Sequence, residues 1–175
     1  MRRLSLLLLL LIAPLAAGQK PQTTTLKVYF ASEKLDPNAE DCSKVYAVTR
    51  TIPKTAAVAR AALEQLFGGP SETEKARGFV SWFSDETKSI LRGVKVKNRT
   101  AYVNFNDLSG FPILGNATTS CGSAQFFAQV EKTLKQFPTI KHVFFAIEGD
   151  PQRFYEWMQM ECPEELKNCD KTNFN

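Results

Sequence analysis

The stretch VTRTIPKTAAVARAALEQLFGGP, residues 48–70, decides how this chain folds. Its pattern predicts the end of a strand, a turn, one helix and a strong stop. At about 100° per residue, apolar side chains cover one half of the helix and polar side chains the other, which is typical of a helix lying on a core. Thr55 is placed to cap the helix, and Gly68, Gly69 and Pro70 are placed to end it. The apolar positions are Val58, Ala59, Ala62, Leu63 and Leu66.

The first eighteen residues have the pattern of a secretory signal peptide. Arg2 and Arg3 precede an apolar run at 4–12, and small residues follow at 16–18. The run is shorter than the roughly 20 residues that span a bilayer, although a retained anchor is the alternative. We expect cleavage near Gly18, a secreted or periplasmic chain, and no stable membrane insertion afterwards. The predicted organisation is signal peptide 1–18, leader 19–25, domain 26–149, and short helix with tethered tail 150–175.

Length and charge limit the function classes. The chain has 22 Lys and Arg against 18 Asp and Glu; without Arg2 and Arg3 the balance is 20 against 18. Lysines alternate with acids along the chain, whereas strong phosphate binders concentrate basic charge, so we expect no nucleic-acid partner. A chain of this length supports one core and one domain.

Four cysteines remain in the exported chain, and disulfides are the default reading for such a protein. Spacing favours Cys162 with Cys169, which leaves Cys42 with Cys121. A zinc site is the alternative, but no CxxC pair occurs and the single histidine, His142, lies in a strand-like run. We therefore expect no metal and no cofactor.

The remaining pattern indicates alternating strands and helices. Phe79, Trp82 and Phe83 are expected to fold onto the core, and Asp150 with Pro151 to start a short helix. Beyond Glu161 the tail is polar. The predicted elements are strands at 26–30 and 44–50, the first helix, a hairpin at 94–105 that turns at Asn98-Arg99, a helix at 123–137 and a strand at 142–147.

Catalytic chemistry finds little support in the sequence. Neither helix carries a nucleophile beside a base, and we interpret His142 as a structural or surface residue. The alternative is a small secreted enzyme that cleaves cell-wall glycan with two carboxylates, for which Asp107, Glu148 and Asp150 are the candidates. We predict no catalytic residues.

Five segments together resemble the GerMN domain family, the module of the sporulation and spore germination protein GerM and of LpqB lipoproteins. The two most specific pieces are the ALEQLFGGP helix end and the TLKQFPTIKHV helix-to-strand turn. The matching segments are VYFA at 28–31, VYAVTRTIP at 45–53, AVARAALEQLFGGP at 57–70, VKVKNRTAYVNF at 94–105 and AQVEKTLKQFPTIKHVFFAIEG at 128–149.

The resemblance implies an α+β domain with a small mixed sheet of about four to five strands and two helices on one face, similar to a ring-building motif. It also implies an extracytoplasmic binding or envelope-assembly module without catalytic activity. The partner would be another envelope protein or a cell-wall component. This chain has one copy of the module and no lipid-anchoring cysteine after its signal peptide.

Overall fold

The computed structural model of the chain describes residues 21–174; the signal-peptide prediction lies outside them. β1 begins earlier than the predicted residue 26. Short 3-10 turns lie at Asp85–Thr87, Pro112–Thr118 and Glu164–Leu166. The strands and helices are β1 (Thr23–Ser32), β2 (Tyr46–Pro53), α1 (Val58–Phe67), α2 (Glu72–Ala76), β3 (Phe79–Val80), β4 (Leu91–Lys97), β5 (Thr100–Phe105), α3 (Ser120–Lys135), β6 (His142–Ile147) and α4 (Pro151–Trp157).

The α+β class is confirmed, but the strands form two three-stranded sheets, of order β2-β1-β3 and β4-β5-β6. The first sheet is antiparallel. In the second sheet β4 and β5 are antiparallel, while β5 and β6 are parallel. The prediction of one sheet of about four to five strands was therefore wrong, because the six strands are divided between two sheets. The second edge of β1 pairs with only Phe79 and Val80, so the first sheet ends there.

Helices α1 and α3 join the two sheets. α1 contacts β1 and β4, whereas α3 contacts β1, β6 and α1. α4 packs on β6. Among residues 21–174, we find no helix that is both long and apolar enough to cross a membrane.

Helix α1 ends as the sequence predicts and begins differently. Gly69 has φ of 71°, and a Cβ atom at this position would lie 2.1 Å from the carbonyl oxygen of Phe83. The predicted cap at Thr55 was wrong, because Ala57 stands at the N-cap position. The Thr55 hydroxyl instead accepts a hydrogen bond from the Ala57 N–H, at 3.1 Å. This local turn uses the oxygen that would have capped the helix.

Helix α3 begins before the predicted residue 123. Thr119 is its N-cap, and its hydroxyl accepts from the Gly122 N–H at 3.1 Å. Cys121 thus lies in the first turn of the helix. Its disulfide with Cys42 ties the loop after β1 to α3.

The core between the sheets and helices is rich in phenylalanine. The rings of Phe145 in β6 and Phe154 in α4 stack with centroids 4.9 Å apart. Phe126 of α3 contacts both rings. Phe79 and Phe83 are buried, which confirms that they fold onto the core.

The tail after α4 differs from the expected polar segment. Leu166, Cys169 and Phe174 are only 4%, 5% and 7% exposed. Cys162 and Cys169 form a disulfide, the pairing that the spacing favours. The apolar residues stand singly among polar ones and show no period, so sequence patterning misses them. The tail is consequently part of the packed domain.

Candidate functional site

Strand register gives the second sheet two chemically different faces. Val103 and Phe145 lie side by side in neighbouring strands and are buried in the core. Side chains alternate along a strand, so the next row, Lys95, Tyr102 and Phe144, points away from the core. We call this side the outer face. Its residues are Gly93, Lys95, Lys97, Thr100, Tyr102, Asn104, His142, Phe144 and Ala146.

The centre of the outer face is aromatic and is covered by the C-terminal tail. The rings of Tyr102 and Phe144 lie 6.1 Å apart, centroid to centroid. The ring of Phe174 stands perpendicular to that of Tyr102, at 5.3 Å. Such edge-to-face pairs are a favoured aromatic geometry. The outer face therefore already carries a segment of the same chain.

A buried amide fixes the tail to this face. Asn104 is 8% exposed. Its Nδ2 donates to the backbone carbonyl of Phe174 at 3.2 Å, and its Oδ1 accepts from the Gly149 N–H at 2.8 Å. Because both ends of the amide are hydrogen-bonded, Asn104 holds the end of the tail against the turn that follows β6.

The remaining contacts of the tail are polar. Lys171 Nζ lies 2.6 Å from an Asp150 carboxylate oxygen. Lys97 Nζ donates to the side-chain carbonyl of Asn173 at 3.4 Å. The tail disulfide joins two residues that both belong to the tail, so it closes a loop inside the tail and does not fasten it to the sheet.

One end of the second sheet is strongly basic. Asn98 and Arg99 both have positive φ, 49° and 62°, as a two-residue type I′ hairpin turn requires, and the predicted hairpin is confirmed. The Arg99 carbonyl accepts hydrogen bonds from the backbone N–H groups of Lys141, at 2.7 Å, and His142, at 3.2 Å. These bonds bring two distant parts of the sequence together. We call the exposed residues Lys97, Arg99, Lys141 and His142 the basic end.

The composition around the basic end departs from the expected alternation of acids and lysines. The sequence has no Asp or Glu at 88–106, nor at 132–147. These two segments supply β4, β5 and β6. The net charge of the whole chain does not reveal this local excess of basic residues. It becomes apparent only from the register of the strands, which places the two segments side by side.

The carboxylates proposed for a glycan-cleaving enzyme are engaged in ion pairs near α4. Glu148 pairs with Arg153 at 2.5 Å and with Arg92 at 3.8 Å. Asp150 pairs with Lys171 and caps α4 by accepting from the N–H of residue 152. These contacts give both carboxylates a structural role at the start of α4.

Two of these carboxylates have lowered pKa values. Hydrogen bonds from the backbone N–H and the hydroxyl of Ser109 lower the pKa of Asp107. Burial alone would raise the pKa of Asp150, but its hydrogen bond and charge interaction with Lys171 outweigh this effect and lower it. A glycosidase requires a general acid whose pKa is raised. The lowered pKa values of Asp107 and Asp150 therefore favour their ionised forms over the protonated form that a general acid needs.

A second polar cleft lies where α1 ends, beside the loop at 71–90. Arg50 Nη2 lies 2.6 Å from a Glu74 carboxylate oxygen and also donates to the Gly69 carbonyl at 2.8 Å. Arg50 Nη1 donates to the carbonyl of Gln65 at 2.7 Å. These bonds satisfy carbonyls that the end of α1 leaves free. The cleft is thereby explained as packing around the helix end, with Arg50 at its centre.

Sequence reasoning identified neither the outer face nor the basic end. It proposed no metal site, and among the described residues no group of three or more His, Cys, Asp and Glu side chains is arranged to hold an ion. The four cysteines, Cys42, Cys121, Cys162 and Cys169, all lie in disulfides. The signal present in the sequence was the pair of segments without acidic residues. These segments form one surface only because the hairpin turn at Arg99 contacts the turn before β6.

Comparison with known proteins agrees with the GerMN resemblance. The family described as Germane, sporulation and spore germination, matches residues 27–153. None of the curated proteins compared with the chain matches it. Among solved structures, the tandem GerMN domains of the sporulation protein GerM from Bacillus subtilis are 24% identical, with a TM-score of 0.49. That alignment covers 73% of this chain and 40% of the tandem-domain chain.

The first GerMN domain of the same Bacillus subtilis protein, solved alone, is 22% identical, with a TM-score of 0.45. The alignment covers 72% of this chain and 84% of that one. The family match runs from β1 into α4 and so includes both sheets and the helices between them. Because this match extends over more than half of its length, the chain belongs to the Germane family of sporulation and spore germination.

Proposed function

We propose that this domain is an extracytoplasmic, non-catalytic binding or assembly module of the cell envelope. Its partner, another envelope protein or a cell-wall component, is anionic and is held at the basic end of the second sheet. Two disulfides support a location outside the cytoplasm, because such bonds persist in oxidising compartments.

The observation that carries this proposal is the concentration of positive charge at the basic end. Arg99 and Lys141 project from two turns that are hydrogen-bonded to each other through the Arg99 carbonyl. Both side chains are exposed. Fixed charges of one sign raise the association rate of an oppositely charged partner and select against partners of like charge.

An apolar depression next to the basic end supports the same surface. It lies between the start of α1, β4 and the turn before β6, and has a volume of about 280 Å³. Val58 and Val96, two of its lining residues, are 36% and 43% exposed. Protein interfaces commonly surround an apolar centre with a charged rim. A partner that pairs with Lys141, which follows the lining residue Ile140, would therefore cover Val96 as well.

The experiment is sedimentation of the purified, disulfide-bonded protein with isolated envelope. We expect the double variant Arg99→Glu with Lys141→Glu to bind about tenfold more weakly, a loss of about 1.4 kcal/mol, with the difference shrinking at high salt. The matched control, Lys27→Glu with Lys132→Glu, makes the same change in charge on the exposed side of β1 and α3 and should bind like the wild type. Equal binding by all three proteins would contradict the proposal.

A further inference from the structure

We propose that the outer face is a docking surface for a short peptide turn that carries an aromatic residue, and that the C-terminal tail is its resident, displaceable occupant. The inference rests on the proposed function and specifies the partner as a protein that offers such a segment. It further specifies an acidic residue immediately before the aromatic one.

The tail shows how such a peptide is recognised. Phe174 supplies a ring to Tyr102 and a backbone carbonyl to Asn104. The residue before it, Asn173, supplies a side-chain oxygen to Lys97. A ring, a main-chain carbonyl and a side-chain acceptor are thus each matched by one residue of the outer face. This is the division of labour expected of a peptide site, where main-chain hydrogen bonds give affinity and side-chain contacts give specificity.

The tail is preorganised as a turn before it meets the sheet. The N–H of Phe174 donates to the carbonyl of Lys171 at 3.1 Å. The Asp170 carboxylate accepts from the N–H of Thr172 at 2.9 Å and from its hydroxyl at 2.6 Å. Because these bonds are local, the turn can keep its shape when it leaves the face. A preorganised ligand also loses less conformational entropy on binding.

The end of the tail, residues 170–174, can detach without any covalent change. It follows Cys169 in the chain, so the bond between Cys162 and Cys169 and the buried Leu166 stay in place. The ion pair between Lys171 and Asp150 is exposed to solvent, with the two side chains 57% and 24% accessible, and such pairs contribute little. A competing peptide must therefore replace one ring contact and a few hydrogen bonds.

Charge complementarity indicates what would displace the tail. Asn173 offers Lys97 only a neutral amide oxygen, at 3.4 Å. A carboxylate at that position would form a charge-assisted hydrogen bond, which is shorter and stronger. The nearby Arg99 and Lys141 add favourable charge. A partner segment with Asp or Glu before its aromatic residue is thus better matched to the face than the tail is.

The test uses the full chain with Phe174→Ala, which opens the ring site, and peptides of sequence DKTNFN, DKTDFN and DKTNAN, based on residues 170–175. Binding is followed by NMR through the side-chain amide of Asn104 and the backbone amides of Thr100 and Tyr102. We expect DKTNFN to bind the variant and DKTDFN to bind it at least about threefold more tightly, as a charge-assisted bond to Lys97 requires. DKTNAN should not bind.

The wild type is expected to bind the same peptides at least about tenfold more weakly, because its tethered tail competes at high effective concentration. If Phe174→Ala unfolds the protein, Phe174→Leu keeps an apolar side chain at this position but loses the ring contact with Tyr102 and leaves every residue of the face intact; it should bind DKTDFN more tightly than the wild type does. Unshifted Asn104 resonances in both variants, or equal binding of DKTNAN, would overturn the inference.

Two further outcomes separate the possible occupants. Envelope binding that depends on Arg99 and Lys141 without any peptide binding would leave the proposed function standing and overturn the peptide site. Peptide binding without envelope binding would leave the peptide site standing and overturn the proposed function. Dimers of the full chain that dissociate on adding DKTNFN would identify the tail of a second copy as the occupant and overturn the assignment to a separate protein.

Discussion

The guanidinium of Arg50 lies 2.6 Å from the carboxylate of Glu74, and the two side chains are 16% and 9% exposed. Arg50 also binds the carbonyl oxygens at the end of α1, while Glu74 caps α2 together with Ser71. One ion pair thus joins β2 to two helix ends. The junction therefore ties the end of α1 and the start of α2 to β2.

Replacing Arg50 with Met removes the cation and leaves the Glu74 carboxylate buried. We expect the free energy of unfolding to fall by about 3–5 kcal/mol, because a buried charge without its partner is strongly destabilising. Urea denaturation measures the change. The control is Arg60→Met, whose pair with Glu64 is exposed at 45% and 48%, and it should cost less than about 1 kcal/mol. Similar losses in both variants would show that Arg50 is not a structural centre.

Stability should also depend on pH through Glu74. Burial alone would raise the pKa of this carboxyl, but hydrogen bonds from Arg50 and the Ser71 N–H outweigh burial and lower it below 4.5. The unfolded state then binds a proton more readily than the folded state. The contribution of Glu74 is therefore complete above the unfolded pKa and is lost as the pH falls through the folded one.

We expect Glu74→Gln to be less stable than the wild type at neutral pH, and the gap to start to narrow as the pH falls below about 4. Urea unfolding at a series of pH values checks this expectation. A gap that stays constant down to the acid transition would mean that the Glu74 charge makes no contribution.

Gly69 is required where α1 ends. Its φ of 71° favours glycine, and a Cβ atom there would lie 2.1 Å from the Phe83 carbonyl oxygen. Gly69→Ala should therefore lower the unfolding free energy by at least about 1–3 kcal/mol, the usual cost of a strained backbone residue. At Gly110 a Cβ would meet nothing within 4 Å, so Gly110→Ala should be close to neutral. Comparable thermal stability of the two variants would contradict this role for Gly69.

The two disulfides should differ in their effect on stability. The Cys42 to Cys121 bond spans 79 residues and the Cys162 to Cys169 bond spans 7. On chain-entropy grounds, the long loop is stabilised by about 4.5 kcal/mol and the short one by about 2.4 kcal/mol. Replacing Cys42 and Cys121 with serine should lower the stability of the whole domain. For the second pair we expect faster hydrogen exchange confined mainly to the tail.

Hydrogen exchange followed by mass spectrometry distinguishes these effects. Serine at both Cys162 and Cys169 should accelerate exchange in residues 163–174 while leaving β1 and α3 protected. Global loss of protection in this variant would contradict a local opening of the tail.

Local signals in the sequence were sufficient for several elements. The Gly68-Gly69-Pro70 stop, the Asn98-Arg99 turn and the Asp150 cap each occur as predicted, because each depends on a few neighbouring residues. Thr55 failed as a cap since its hydroxyl could satisfy a nearer N–H first.

Features that depend on distant residues could not be predicted in this way. The outer face needs the register of β4, β5 and β6, which brings Lys97 level with Thr100 and His142. The partition into two sheets depends on how little of β1 pairs with β3. Phe174 is a single apolar residue in a polar tail, and its burial follows only from the ring of Tyr102 beneath it.

Site-specific photo-crosslinking in living cells tests the partner surface most directly. A crosslinking amino acid replaces Lys141 at the basic end in one strain and Lys132 on α3 in another. If the basic end holds the partner, irradiation yields a discrete crosslinked species from position 141 and little or none from position 132. The same yield from both positions, or a species from position 132 alone, would contradict a partner site at the basic end.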